Sequence, residues 1–280
     1  MNAVTQPFHR KVPFLRYPGG KSRITEFLVE RVKLHEAETR RVVEPFVGSG
    51  SFFFALRPTK ALLADLNPEL IDLYRGIRLD PRAVWTRFRS FPSNKRAYYK
   101  IRAWNPETLD LASRAARTLY LNRTCFKGMW RHNIKGHFNV GYGGQDRRWV
   151  VTLRDMLHLS RRLRIASLRC VDFEQTIDSC GESDFVFVDP PYMPGAREMI
   201  HDHYRFGKFS FQEQRRLAAA LKRASKRGVR WALTTTSHPD VVGLFRGHFI
   251  ELIPKGPGAQ IGQFTRSSGE VFIGNWREAQ

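Results

Sequence analysis

Arg41-Val42-Val43-Glu44-Pro45-Phe46-Val47-Gly48-Ser49-Gly50-Ser51 decides how the rest of the chain is read. Arg41 to Phe46 is the short apolar run of a buried strand, and Val47 to Ser51 is a tight glycine turn. Phe52 to Leu56 begins a helix, and Ala61-Leu62-Leu63-Ala64-Asp65 is a second strand. Pro68 to Gly76 is a second helix, with Asn67 as its N-cap and Pro68 at the first helical position. Strand, turn, helix, strand, acid, helix is the rhythm of a βαβ unit and predicts an α/β sheet. Such sheets bind ligands outside the carboxyl ends of their strands. This puts Phe46, Gly48, Gly50 and Ser51 beside a ligand, with the glycines allowing close backbone approach. The turn lacks a full G-x-G-x-x-G pattern, because the sixth position counted from Gly48 is Phe53. Asp65 stands where an acid accepts hydrogen bonds from ribose hydroxyls; a helix-capping acid is the plainer alternative.

Upstream, residues 1–12 are polar and read as a loose arm. Phe14-Leu15-Arg16-Tyr17-Pro18-Gly19-Gly20-Lys21-Ser22 contains a turn. The helical spacing of Ile24, Phe27, Leu28 and Val32 follows, with Ser22 as a candidate cap. Gly20-Lys21-Ser22 is not the end of a phosphate-binding P-loop. That loop needs a glycine at position 15, which is Leu15, and a preceding buried strand. Lys21 instead offers a charge to a ligand carboxylate.

Downstream, the alternation breaks. Residues 77–165 read as mainly helical, with Trp85, Phe88, Tyr98, Tyr99, Ile101, Trp104, Leu119 and Leu121 as core positions. Gly128 to Gly144 is rich in Gly and Asn, and His137-Phe138-Asn139-Val140 fits one arm of a hairpin. Strands return at Ser167–Val171, Asp184–Val188 and Val229–Thr235, with a helix over Phe211–Arg227 ended by Gly228. Phe249–Ile253 and Glu270–Trp276 fit a closing antiparallel pair. The expected organisation is a sheet domain in two sequence pieces, 1–76 and 166–280, with a helical insertion at 77–165.

Two strand ends in the second piece carry chemistry. Phe185-Val186-Phe187-Val188 delivers Asp189-Pro190-Pro191-Tyr192. That stretch brings a carboxylate, two residues of fixed φ and an aromatic face to one point. This suits a flat base with an exocyclic amine; a proline-rich turn after a strand is the bland alternative. Asp172, after the Leu168–Val171 strand, can accept from the amine of an adenine ring, with Phe173 against the ring face; an ordinary strand-end acid is the equal alternative. Arg197, His201, His203 and Tyr204 fall in a 197–208 stretch that reads as a substrate-covering loop rather than a metal site.

Charge points to the partner. The chain of 280 residues has a formal net charge of +21. Between Asp72 and Cys170, 22 Lys and Arg stand against 6 Asp and Glu, which is +16 of that total. A one-signed excess interleaved with aromatics is the footprint of a nucleic-acid surface. Cys125, Cys170 and Cys180 show no C-x-x-C spacing, so reduced thiols are expected rather than zinc or disulfides. No signal-like or membrane-spanning stretch is present, and a cytoplasmic protein without membrane partners is the expectation.

The order of these motifs resembles the Dam-type DNA adenine-N6 methyltransferases. The resemblance rests on Arg16-Tyr17-Pro18-Gly19-Gly20-Lys21, Glu44 to Ser51, Ala64-Asp65-Leu66-Asn67 and Asp189-Pro190-Pro191-Tyr192. Leu119-Tyr120-Leu121-Asn122-Arg123, Lys127-Gly128 and Asn133 to Val140 extend it, so that it spans residues 14 to 276. It implies a Rossmann-like methyltransferase sheet with an inserted helical target-recognition domain. It also implies S-adenosylmethionine as methyl donor, contacted by Tyr17, Lys21, Asp65 and Asp189 and walled by Phe46, Gly48, Gly50 and Ser51, with Asp172 added as a donor contact from its strand-end position alone. Asp189, Pro190 and Tyr192 would act on an adenine flipped out of duplex DNA. Arg16, Arg123, Arg131, His132, Asn133 and Lys135 would face the DNA. No metal is expected, and a monomer, bacterial or phage-borne, solitary or part of a restriction-modification pair, fits. The sequence departs from the Dam branch in having Tyr17 and Pro18 where Trp and Ala are usual. His132 and Lys135 stand in place of Tyr and Arg. Lys lacks the planar fork that Arg offers guanine, so the target sequence is not carried over. Cytosine N4, adenine in RNA, and an inert nucleic-acid-binding relative are the competing readings.

Overall fold

The computed structural model describes residues 14–17, 21, 24–33, 41–133, 135–191, 209–254 and 267–276. Pro18, Gly19, Gly20, Ser22, Tyr192 and the 197–208 stretch lie outside the described residues. The strands are β1 (Arg41–Glu44), β2 (Ala61–Asp65), β3 (Ala166–Cys170), β4 (Asp184–Val188), β5 (Arg230–Thr236), β6 (Phe249–Pro254) and β7 (Ser267–Gly274). They form one sheet in the order β3-β2-β1-β4-β5-β7-β6. The first five are parallel; β7 runs antiparallel between β5 and β6, as the closing pair in the sequence predicts. From β1 the chain builds outward through β2 and β3 on one side, then returns to lay β4 and β5 on the other. The order reverses between β1 and β4, which is where an α/β sheet opens a crevice at its carboxyl edge.

Strand composition follows from burial on both faces. Every residue of β4 is buried, so it reads as a continuous apolar run rather than an alternation. Val42, Leu63, Phe185, Phe187 and Ala232 pack to one side, and Val43, Leu62, Val186, Val188, Trp231 and Leu233 to the other. Helices α1 (Thr25–Lys33) and α2 (Ser51–Leu56) contribute to the first side. Helices α8 (Phe173–Asp178) and α9 (Phe211–Lys226) cover the second. Helix α3 (Pro68–Leu79) starts as the sequence predicts: the Asn67 side chain accepts from Glu69 and Leu70, with Pro68 in the first turn.

Residues 77–165 contain α4 (Pro81–Ser90), α5 (Lys95–Arg102), α6 (Leu111–Thr124) and α7 (Leu153–Leu163). Between α6 and α7 lies the small hairpin, marked by the His132–Phe138 antiparallel bridge. Asn139 N donates to Arg131 O at 3.0 Å and Asn133 N to His137 O at 2.9 Å. This segment shares its core with the sheet: Leu63, Leu73 and Tyr74 belong to one cluster with Phe88, Tyr98, Tyr120, Trp130, Phe138 and Met156. Of the expected core residues, Tyr99 is a correction. It is 38% exposed and lies under the Arg102 guanidinium, 4.8 Å from its ring centre, while Tyr98 takes the buried side of α5.

Candidate active site

Asp189 leaves β4 at its carboxyl edge, beside β1 and β5, and its Oδ1 is held from two directions. Lys21 Nζ lies 2.9 Å away, and Thr234 Oγ1, on β5, donates at 2.6 Å. Lys21 is itself buried and lies 4.0 Å from Glu270 on β7. Oδ2 of Asp189 has no partner among the described residues. Pro190 is buried directly after it.

Glu44 ends β1 next to this group and is 3% exposed. Its Oε1 is buried with no hydrogen-bond partner among the described residues. Burial, then the nearby Asp189 charge, pushes its carboxyl well above the usual range, against the pull of the Phe53 backbone N–H. Glu44, Thr234 and Glu270 were not singled out from the sequence. Glu44 has a legible signal, an acid closing an apolar strand before a glycine turn. Thr234 and Glu270 have none, since only the β4–β5–β7 pairing brings them near residue 189.

The glycine turn is shaped by contact. Gly48 has φ 47°, and a Cβ there would come within 3.2 Å of the Tyr17 ring. Gly50 has φ 66°, and a Cβ there would lie 2.8 Å from the Phe54 ring. Tyr74 donates to Gly48 O at 2.7 Å, and the Ser49 and Ser51 hydroxyls pair at 2.8 Å. Asp65 accepts from Gly48 N at 3.1 Å through Oδ2 and from Asn67 N at 3.0 Å through Oδ1. Burial pushes this carboxyl up to about 6, despite those backbone donors. Leu66, the next residue, is 52% exposed, an apolar surface at the edge of the cleft.

On the other side of β2, Asp65 pairs in register with Cys170 of β3, and Asp172 follows two residues later. Phe173 stacks on Phe46, with centroids 5.2 Å apart and planes at 26°, and Phe209 meets Phe46 edge-on at 5.6 Å. The structure thus groups Tyr17, Gly48 and Asp65, groups Lys21 with Asp189, and groups Phe46 with Asp172 and Phe173. All stand at the carboxyl ends of β1 to β5.

Two of the residues expected to face DNA are buried in this structure. Arg123 is 1% exposed, and its guanidinium donates to the Phe14 carbonyl, tying the N-terminal segment to α6. His132 is 2% exposed, with Nε2 3.2 Å from Glu69 Oε2. Arg117 holds the other oxygen of Glu69 at 2.9 Å and donates to the Ile101 and Arg102 carbonyls. Burial pushes Glu69 up, but His132 and Arg117 outweigh it and hold the carboxyl below its ordinary value. Arg123 and His132 therefore join segments rather than present charge. Asn133 Oδ1 accepts from Lys135 N and His137 N at 3.0 Å each and so caps the hairpin turn. Lys135 is exposed, Arg131 is half-buried with Nε donating to Asn139, and Arg16 is half-buried with its backbone held by Asn122.

A sheet of this order, with its functional groups at the β1–β4 reversal, is consistent with a Rossmann-like methyltransferase. The sequence profile of the D12 class N6 adenine-specific DNA methyltransferases matches residues 17–253, and the chain belongs to that family of enzymes. It is 30% identical over 260 residues to the Type II methyltransferase M.MjaIII of Methanocaldococcus jannaschii, covering 86% of this chain and 90% of that one. It is 30% identical over 245 residues to a DNA adenine methylase of Vibrio cholerae, covering 86% and 87%. A DNA N-6-adenine-methyltransferase of Escherichia phage P1 is 32% identical over 251 residues. That match covers 88% of this chain and 32% of the phage protein, so the chain spans about a third of that relative's length.

The family implies S-adenosylmethionine as donor, and the residues present fit it. A glycine turn with no room for a Cβ, a buried Glu44 oxygen without a partner, a carboxylate at Asp65 and an exposed apolar Leu66 suit a cationic amino acid joined to a nucleoside. Among the described residues no three His, Cys, Asp or Glu side chains converge as metal ligands, and no helix is long and apolar enough to cross a membrane.

Proposed function

We propose that this chain methylates N6 of adenine in duplex DNA, and that Asp189 is the residue on which the reaction turns. The arrangement that carries the reading is the Asp189 carboxylate pinned through Oδ1 by Lys21 and Thr234. Oδ2 is left for a substrate amine. Bound S-adenosylmethionine supplies an electrophilic methyl group. Asp189 Oδ2 and the Pro190 carbonyl accept the two amine hydrogens, which localises the nitrogen lone pair. The carboxylate then takes the proton that the amine sheds as positive charge develops, so it need not be a strong base. Tyr192 stacks on the flipped ring, a contact worth about 1–3 kcal/mol. Positioning and fixed electrostatics carry the rate. Lys21 has a second part: its charge offsets that of Asp189 in a crevice that also holds Glu44.

Tyr17 and the Phe46 to Ser51 turn wall the donor pocket, Asp65 takes the ribose hydroxyls, and Asp172 accepts from the donor's adenine amine. The 77–165 insertion serves target recognition, with Arg131, Lys135 and Arg16 toward the DNA. Long-read sequencing of DNA from a host expressing the chain tests the whole reading. N6-methyladenine in a fixed context is expected; N4-methylcytosine, or no modified DNA base, overturns it.

Two further outcomes follow from named groups. Ribose hydroxyls bond more strongly to ionised than to protonated Asp65, whose carboxyl burial pushes up to about 6. Donor affinity measured by calorimetry is expected to be full at neutral pH. Below about pH 6 it should fall, by at most about tenfold per pH unit, and Asp65→Asn should remove that step. A native profile flat through this range sinks the assignment. The same raised value means that Asp65 stabilises the empty protein below its unfolded pKa and that this contribution is lost as pH rises through about 6. On the DNA side, Arg131→Ala with Lys135→Ala should reduce the slope of log affinity against log salt by roughly 2. An unchanged slope places the phosphate contacts elsewhere.

A further inference from the structure

We infer that Arg216 is a positioning residue for donor recognition: it orients Asp172 so that one carboxylate oxygen faces the adenine amine of the methyl donor. The inference rests on the reading of Asp172 given above.

Asp172 caps α8, and its Oδ1 accepts from Glu174 N at 2.9 Å. Arg216 reaches across from the second turn of α9, and its Nη2 is hydrogen-bonded to the same oxygen. The rest of the guanidinium is equally committed. Nε lies 2.6 Å from Glu174 Oε2 and Nη1 lies 2.9 Å from Glu213 Oε2. Its carbon sits 4.4 Å from the centre of the Phe173 ring, which stacks on Phe46. One planar cation is therefore fixed by three carboxylates and an aromatic ring. Oδ1 of Asp172 is occupied twice, and Oδ2 has no partner among the described residues.

A carboxylate on a single bond can rotate, and rotation would offer an amine either oxygen or neither. Two donors on Oδ1 remove that freedom before the ligand arrives, so less ordering is lost on binding. The cation also offsets the cost of covering a charged carboxylate with a base. A lysine would supply charge but not the fork that grips three acids at once.

The plainer account is that Arg216 only fastens α8 to α9. Arg223 separates the two. It joins the same helices through Glu174 at 2.7 Å and Asp178 at 2.8 Å, and its guanidinium contacts Glu174 and Asp178 rather than Asp172 among the described residues. The test is calorimetric, with S-adenosylhomocysteine and its 6-deamino purine analogue as probes, on the native chain, Arg216→Met, Arg223→Met and Asp172→Asn. Arg216→Met is expected to weaken the adenine ligand about tenfold, the scale of one charge-assisted hydrogen bond, and to leave the deamino analogue unchanged. Arg223→Met should move neither. Equal weakening of both probes by Arg216→Met overturns the inference in favour of general packing. Selective weakening by Asp172→Asn but not by Arg216→Met overturns it while leaving the Asp172 reading intact. If Asp172→Asn does not discriminate between the probes, the Asp172 reading and the inference fall together.

Discussion

Asp189→Asn is expected to lower the methyl-transfer rate on the order of 10³-fold, with the protein still folded and the donor still bound. The asparagine keeps an oxygen for Thr234 and Lys21, whose bonds to Oδ1 are 2.6 and 2.9 Å. It removes the negative charge that draws the amine proton and turns one acceptor into a donor facing the amine hydrogens. Asn is preferable to Ala here, because deleting the carboxylate would leave buried Lys21 without the acid it touches. Single-turnover transfer of a labelled methyl group gives the rate, and a melting curve gives the fold. A variant within tenfold of the native rate removes Asp189 from the chemistry.

Arg117→Met is expected to cost about 3–5 kcal/mol, the range for breaking one partner out of a buried ion pair. The side chain is 3% exposed and grips Glu69 on α3 while donating to two carbonyls at the end of α5. Its loss leaves those carbonyls without that donor and Glu69 with His132 alone. For a chain of this size the melting temperature should drop by roughly 10 °C. Arg117→Lys should fall between, since it restores charge without the fork. A melting curve superimposable on the native one contradicts the idea that this junction welds the insertion to the sheet.

Much of the fold was legible because parallel strands buried on both faces write themselves as apolar runs. All seven expected strands are present, five of them parallel, and the helix start at Asn67-Pro68 is where its chemistry puts it. The motifs that matched the family also placed Asp65, the glycine turn and Asp189 at one edge of the sheet. What the sequence could not deliver was direction. Arg123 and His132 sit in motifs that the sequence resemblance places toward DNA as an expectation, and in this structure their side chains meet Phe14 and Glu69. A charge that ends in a buried pair looks, in one dimension, like a charge that meets phosphate. Tyr98 and Tyr99 show the same limit, since the spacing of a short helix leaves open which neighbour takes the core. Thr234, Glu270 and Arg216 were missed because Asp189, Lys21 and Asp172, the residues they act on, are distant in sequence and brought near only by strand order and helix packing.

The position of β7 has a consequence for synthesis. It lies between β5 and β6, yet it is made after both and after every other described element. Until residues 267–274 leave the ribosome, the edge of β5 that Thr234 shares with Phe272 has no neighbour. Glu270 is likewise missing from the surroundings of Lys21. A product cut short before this strand would carry every motif from Tyr17 to Asp189 and still expose a raw sheet edge, which favours aggregation over folding. The last described strand thus closes the sheet and completes the surroundings of Lys21 in one step.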